Sequence, residues 1–236
     1  MKRIASILFL AASVFAEEPR GELVESMPPA PQILAAARAQ LPLYPVQMVG
    51  TLKEWAPNGF MKRTLNVEMR LDWNAAPPQA AYQIRDEKNN VSQGLEIQWL
   101  PGGPEFQCLE NGVLIEGFDP HTEINRLGIT WSDLSFSFLW SQEAKTLRTA
   151  KKLGRDCFVI SVPRPENHAL LLWVEQNTGR MLGAEEQDAD GKMVKIIKVV
   201  SVKEFDGLWM VKDLDIIQPG RGGRTSLRVD RVETGN

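Results

Sequence analysis

Apolar and polar side chains alternate without interruption through residues 64–73, a pattern that predicts a β-strand with one face in water. The apolar positions share one face of that strand: Leu65, Val67, Met69, Leu71 and Trp73. A shorter alternation at residues 95–99 places three more apolar residues on one face: Leu95, Ile97 and Trp99. Residues 45–55 predict a weaker strand, in which Gly50 indicates a bend or a bulge.

The second half of the chain predicts an antiparallel meander of short strands. Runs rich in β-branched and aromatic residues are separated by turn residues that tolerate positive φ. These turn signals are Asn111-Gly112, Asn177-Thr178-Gly179, Asp190-Gly191 and Asp206-Gly207. A short helix is predicted over residues 32–42, where alanines favour the helix and Pro42 ends it. The chain therefore predicts one large, twisted antiparallel sheet with a few helices along one side, and such a sheet tends to curl around its apolar face.

The stretch at residues 128–142 is unusually rich in apolar and aromatic side chains. Thr130 or Ser132 can cap a helix here, and Asp133 in its first turn suits the positive end of the helix dipole. Apolar residues then lie on one side at helical spacing: Trp131, Leu134, Phe138 and Leu139. Two interpretations stay open, a helix that caps an ordinary core and a mobile lid over an apolar cavity.

The first 16 residues have the three-part pattern of a secretory signal peptide. A positive start at Lys2 and Arg3 precedes a short apolar run and a small residue, Ala16, after which we expect cleavage. The run is shorter than the ~20 residues that span a bilayer. Residues 17–31, rich in proline and acid, are predicted to be a flexible leader, and residues 32–236 the folded domain.

Composition and charge exclude some functions. Of the 236 residues 43% are hydrophobic and 24% charged, which is ordinary for a globular protein. Without residues 1–16 the chain has 25 basic and 30 acidic residues, a formal charge of −5. Nucleic-acid binding depends on clustered Lys and Arg, so no such partner is predicted.

Recognisable catalytic or metal-binding motifs are absent from the sequence. His121 and Glu123 alone are too few ligands for a metal site, and no zinc, acyl-transfer, phosphate or dinucleotide motif occurs. We therefore predict neither an enzyme nor a cofactor nor a metal. Cys108 and Cys157 leave two alternatives open, a disulfide in an oxidising compartment or two separately buried thiols.

Four stretches, in order, resemble the outer-membrane lipoprotein-sorting family, the LolA-like periplasmic carriers. They are "TWSDLSFSFLW", "LGRDCFVISVPRP", "LLLWVEQNTGRMLGAEEQDADGKMVKIIKVVSVKEFDGLWMVKDLDI" and "RTSLRVDRV". The ordered series carries the resemblance, above all a W-V-x-x-x-T-G hairpin followed by an Asp-Gly turn and a lysine-rich strand. The resemblance covers residues 32–232, nearly all of the predicted mature chain.

The resemblance implies a mainly β fold, a single incomplete antiparallel β-barrel with a helical lid. It also implies a monomeric periplasmic carrier that holds acyl chains of lipoproteins or other lipids without a cofactor. Such a carrier works between an inner-membrane transporter and an outer-membrane receptor. Together with the alternation it predicts a cavity lined by Leu65, Val67, Met69, Leu71, Trp73, Leu95, Ile97, Trp99 and Trp173. The predicted lid comprises Trp131, Leu134, Phe138 and Leu139.

Two further functions stay open beside the carrier. One is an envelope-stress sensor that uses the same half-barrel to bind an inner-membrane partner. The other is an enzyme on a similar barrel, for which the sequence offers no catalytic constellation.

Overall fold

The computed structural model describes residues 27–205 and 208–235. The predicted signal peptide and residues 17–26 of the predicted leader lie outside this range. The described chain forms one antiparallel sheet of 13 strands with two free edges, as expected for a mainly β protein with an incomplete barrel. No helix among the described residues has the length and apolarity needed to cross a bilayer.

Consecutive strands form hairpins, except that the helical segments between β6 and β7 join the two edges of the sheet. They are β1 Val46–Trp55, β2 Met61–Asp72, β3 Gln79–Arg85, β4 Val91–Leu100, β5 Gly103–Glu110, β6 Val113–Ile115, β7 Lys145–Lys152, β8 Arg155–Pro163, β9 Ala169–Glu175, β10 Met181–Gln187, β11 Met193–Phe205, β12 Leu208–Ile217 and β13 Arg224–Thr234.

Two meanders make up the sheet, and they meet at its centre. The spatial order is β6-β5-β4-β3-β2-β1-β13-β12-β11-β10-β9-β8-β7. The first meander, β1 to β6, and the second, β7 to β13, are joined by the pairing of β1 with β13, which matches Val46 with Thr234 and Trp55 with Arg224. The shortest strand, β6, and the lysine-rich β7 form the two edges.

Gly50 lies at a bulge in this central pair. The register shifts between Val49, opposite Arg231, and Gly50, opposite Val229. A Cβ atom at Gly50 would lie 2.3 Å from the carbonyl oxygen of Arg228, so only glycine allows the two backbones to approach this closely. The predicted irregularity at Gly50 is confirmed.

The helical parts are short. The α-helices are α1 Ala30–Arg38 and α2 Trp131–Ser135, and the 3₁₀ turns are Ile124–Arg126, Ser137–Trp140 and Pro165–Asn167. Helix α1 begins inside the predicted leader. Pro31 does not prevent this, because an N–H in the first turn of a helix has no intrahelical partner and its absence costs nothing there. It also ends before the predicted Pro42.

The core lies between one face of the sheet, here called the covered face, and the helical segments. The alternation predicted for β2 is confirmed, since Leu65, Val67, Met69 and Leu71 are buried while Asn66 and Arg70 are exposed. Side chains of α1 and α2 pack into the same apolar cluster as these strand residues. The covered face is therefore the surface on which the candidate site is built.

Candidate functional site

Residues 131–140, the plug segment, cover that face, and they do not form the single helix predicted from their spacing. Helix α2 is five residues long and ends at Phe136, whose backbone is left-handed at φ 52° and ψ 27°. A 3₁₀ turn, Ser137–Trp140, then continues in a new direction. A phenylalanine in this conformation costs free energy, so the break is enforced by packing and not by local preference.

A capping box fixes the start of α2. The Thr130 hydroxyl accepts a hydrogen bond from the Asp133 backbone N–H at 3.2 Å, and the Asp133 carboxylate accepts one from the Thr130 N–H at 3.0 Å. These bonds satisfy two donors that a helix N-terminus otherwise leaves unpaired. Of the two caps predicted from the sequence, Thr130 and Ser132, the structure therefore shows Thr130.

The predicted lid and most of the predicted cavity lining meet in one apolar cluster. Trp131 is 1% exposed, and the other three predicted lid residues are also buried. Trp73 packs against the same cluster from a half-buried position. Seven other predicted lining residues belong to the cluster: Leu65, Val67, Met69, Leu71, Leu95, Ile97 and Trp99. The structure thus places eight of the nine predicted lining residues in or against the same cluster as the predicted lid.

Trp173 is the exception, and its assignment to the cavity was wrong. It lies in a second cluster, with Cys157, Val159 and Leu171, where the Lys152 ammonium is 3.9 Å from its ring centroid. Leu170, Leu172 and Val174 of the same strand belong to the main cluster instead. Strand β9 is buried on both faces, so its sequence has no alternation that could indicate which face Trp173 occupies.

Side chains of the plug segment and of the covered face pack into one buried apolar cluster. A depression of about 520 Å³ lies elsewhere, at one end of strands β1 to β4, and polar side chains such as Gln47, Arg70, Glu96 and Gln98 form much of its wall. It is not the apolar hollow that the sequence led us to expect. Any apolar guest on the covered face must displace part of the plug segment.

Three tryptophans meet where the plug segment ends. The ring of Trp140 lies 5.3 Å from that of Trp73 and 4.7 Å from that of Trp99, and the latter two lie 4.5 Å apart. Arg38 of α1 contacts the same place, with its guanidinium 5.5 Å from the Trp140 ring and a hydrogen bond to the Leu139 carbonyl. This end of the plug segment is held mainly by aromatic contacts.

The other end of the plug segment is held by charge. Asp133, fully buried, accepts hydrogen bonds from Lys195 at 2.8 Å and from Arg164 at 3.2 Å. Lys195 also lies 3.4 Å from Glu186, which in turn bonds His168 at 3.0 Å. Burial raises the pKa of Asp133, but the charges of Lys195 and Arg164 outweigh it, and the pKa is lowered below the usual 3.8. Asp133 is therefore an ionised anchor for α2.

His121 extends this cluster. Its Nδ1 lies 3.0 Å from the Nη1 of Arg164. Because a guanidinium can only donate, Nδ1 must be the unprotonated acceptor of a neutral ring. Burial, and then the charge of Arg164, lower the pKa of His121 below 6.5. Glu123 does not share a ligand site with His121, since it pairs with Arg221 at 2.7 Å. Among the described residues no three His, Cys, Asp or Glu side chains are grouped to hold a metal.

The two cysteines are free thiols in separate clusters, which is the second of the alternatives that the sequence left open. The disulfide between Cys108 and Cys157 is not formed. Burial, with a smaller contribution from Glu110, raises the pKa of Cys108 to about 11, and burial also raises the pKa of Cys157.

Sequence reasoning missed the ionic anchor, although one signal for it exists. Lys195 occupies the same face of β11 as Ile197, a position where an apolar residue is expected, and it is 7% exposed. A lysine on the buried face of a strand needs a negatively charged partner, and the carboxylate of Asp133 is that partner. Arg164 gave no comparable signal, because it lies in a loop.

Comparison with known proteins supports the fold. A family model described as an uncharacterized protein matches residues 119–236, half of the chain. No curated protein matches. A DUF1329 family protein from Desulfovibrio piger superposes with a TM-score of 0.69 at 11% identity, covering 87% of this chain and 91% of that one.

Two other solved structures carry the names expected from the sequence. A putative outer membrane lipoprotein-sorting protein domain from Vibrio parahaemolyticus superposes with a TM-score of 0.70 at 13% identity, covering 87% of this chain and 92% of its own. A LolA superfamily protein from Nitrosomonas europaea gives 0.64 at 13%, covering 88% and 94%. The resemblance is thereby confirmed: the chain belongs to the family that the matching model describes, and its fold is LolA-like.

Proposed function

We propose that this protein binds the acyl chains of lipoproteins or other lipids on the covered face, as a periplasmic carrier that passes them toward the outer membrane. Its partners would be a donor in the inner membrane and a receptor in the outer membrane. The fold of the lipoprotein-sorting structures supports this proposal, and so does the predicted signal peptide.

One observation carries the proposal: the apolar face of an open sheet is covered by short helical segments, α1 and the broken plug segment, instead of a second sheet or a long helix. A core built for stability alone favours continuous elements with whole faces to bury. Here the last four residues of the plug segment, Ser137–Trp140, pack against α1, α2 and β5, and Trp140 contacts Trp99 of β4. They are the part of the core that a guest can replace.

The free energy gained by burying an acyl chain is comparable to the free energy needed to expose the end of the plug segment. Each buried CH₂ group contributes about 0.8 kcal/mol, so an acyl chain of ten or more carbons offers on the order of 8 kcal/mol. Exposing Phe138, Leu139 and Trp140 costs on the order of 2–3 kcal/mol for each side chain. A single chain therefore roughly offsets the displacement, which suits a carrier that must also release its load.

Calorimetry on the delipidated protein tests this proposal. We expect a lauroyl-bearing lipopeptide to bind and to raise the melting temperature. The variant Trp140→Ala, which removes the side chain that fills the site, should bind more tightly than the wild type. Trp173→Ala is the matched control, because Trp173 lies in the second cluster and its removal should leave affinity unchanged. Absence of binding in both wild type and Trp140→Ala would contradict the proposal.

Mass spectrometry of material that co-purifies from a native extract separates the carrier from the sensor. Acylated peptides are expected for a carrier. Recovery of an inner-membrane signalling protein without lipid would favour the envelope-stress sensor instead.

A further inference from the structure

Two indole N–H groups beside Trp140 have no hydrogen-bond partner within the described part of the chain. The Nε1 atoms of Trp73 and Trp99 are buried, and no acceptor lies within reach of either among the described residues. Buried indole donors usually find a partner, because leaving one unpaired costs free energy that water would otherwise supply. Two of them on rings 4.5 Å apart form a local cluster of unmet donors in an apolar setting.

Trp140 contacts both rings, and it lies at the end of the plug segment away from the ionic anchor of Asp133. Asp133 fixes α2 through two buried ion pairs, whereas Trp140 is held by ring contacts and by the neighbouring Leu139 carbonyl bonded to Arg38. Phe136, in its left-handed conformation, separates these two parts. Release of residues 137–140 breaks the Ser137–Ser132 hydrogen bond and the contact of Phe138 with the Arg164 guanidinium, but it leaves the ion pairs of Asp133 in place while it removes Trp140 from Trp73 and Trp99.

We propose that Trp73 and Trp99 form a subsite that donates hydrogen bonds to the carbonyl oxygen of an acyl ester or amide. This inference rests on the proposed acyl-chain binding and adds a polar selectivity to it. A carbonyl is the one strong acceptor that an acyl chain carries into an apolar site, and it is uncharged, so it enters without the desolvation cost of an anion.

Such a subsite distinguishes acylated molecules from other hydrocarbons. A plain alkyl chain would fill the space vacated by Trp140 and leave both N–H groups unpaired. An acyl chain fills the same space and satisfies them. The polar contribution therefore appears as a preference between ligands of equal apolar area.

A matched pair of probes isolates the carbonyl: 1-lauroylglycerol and its ether analogue, 1-O-dodecylglycerol, which share the head group and the chain length. We expect wild-type protein to bind the ester about three- to tenfold more tightly than the ether, the range given by one net hydrogen bond or slightly more. Isothermal titration calorimetry, below the concentration at which either probe aggregates, measures both affinities.

The variants Trp99→Phe and Trp73→Phe keep an aromatic ring and remove the donor. Each should reduce the preference for the ester, and the double variant should abolish it while still binding the ether. Trp55→Phe is the control, because Trp55 also has a buried unpartnered Nε1 but lies under Arg224 at the far end of β1. It should keep the full preference.

The outcomes separate this inference from the proposed function. Equal binding of ester and ether by the wild type, or a preference that survives in the double variant, overturns the subsite but leaves acyl-chain binding standing. Failure of both probes to bind counts against the proposed function and against the subsite with it.

Discussion

At the scale of single residues, Asp133 connects three elements of the structure. It caps α2 and binds Arg164 of the β8–β9 loop and Lys195 of β11. Buried ion pairs contribute little net stability when compared with apolar substitutes, but removing one partner leaves the other charges unpaired. The value of this cluster to the protein is therefore the unique placement of α2 on the sheet.

Replacing Asp133 with Asn keeps the shape of the side chain and removes its charge. We expect the free energy of unfolding to fall by about 3–5 kcal/mol, because Lys195 and Arg164 are left buried without their anion. Denaturant unfolding measures this loss. The control is Asp156→Asn, whose exposed pair with Lys151 at 3.7 Å should contribute less than about 1 kcal/mol. Equal effects of the two substitutions would show that Asp133 is not an anchor.

His121 predicts a pH dependence of stability. Its pKa is lowered in the folded protein, by burial and then by Arg164, while Asp119, Asp133 and Glu186 act in the opposite direction. As the pH falls through about 6.5, His121 therefore binds a proton in the unfolded chain but not in the folded protein. The contribution of His121 to the free energy of unfolding is fully present above that pH and is lost as the pH drops below it. Asp133, with its lowered pKa, adds a second fall below about pH 3.8.

The variant His121→Gln removes the first of these two falls. Its free energy of unfolding, measured between pH 7 and pH 5, should change less steeply than that of the wild type. A variant with the same slope as the wild type would mean that His121 does not contribute.

At the scale of elements, the pairing of β1 with β13 depends on Gly50. We expect Gly50→Ala to destabilise the protein by about 1–3 kcal/mol, because the new methyl group meets the Arg228 carbonyl at 2.3 Å and the strands must move apart. Gly94→Ala in β4 is the matched control, since its methyl group would lie 3.6 Å from the Tyr82 carbonyl, an ordinary contact. Thermal melting of both variants measures the difference, and similar melting temperatures would contradict the close approach.

Elements with one wet face could be predicted from the sequence, and elements buried on both faces could not. The period of two in β2 and β4 identified the buried residues, because exposed polar side chains separate them. In β9 both faces are apolar, so Trp173 was placed on the wrong one. The break in the plug segment was also out of reach, since nothing local makes Phe136 left-handed.

At the scale of the whole molecule, the two free thiols allow a test of whether the folded protein contains a disulfide. Cys108 and Cys157 are buried in different clusters, and their raised pKa values keep them protonated at neutral pH. A reducing agent should therefore leave the melting temperature unchanged. A thiol reagent should label both cysteines quickly only after unfolding. A lower melting temperature under reduction would indicate a disulfide and overturn this assignment.

The site as a whole followed from the sequence only in outline. The family resemblance and the alternation of apolar residues together predicted that the plug segment lies on the covered face. The ionic anchor depends on side chains from α2, a loop and β11 that meet only in three dimensions. Sequence spacing does not encode such a meeting, apart from the out-of-place Lys195.

The central position of the β1–β13 pair has a consequence for how the chain matures. Strand β1 is synthesised early and β13 last, so the side of β1 that pairs with β13 has no partner until synthesis has passed residue 234. During that interval this edge of β1 is open to strands from other chains. We expect the nascent protein to depend on a chaperone that shields β1, and to lose this dependence once β13 has paired with β1.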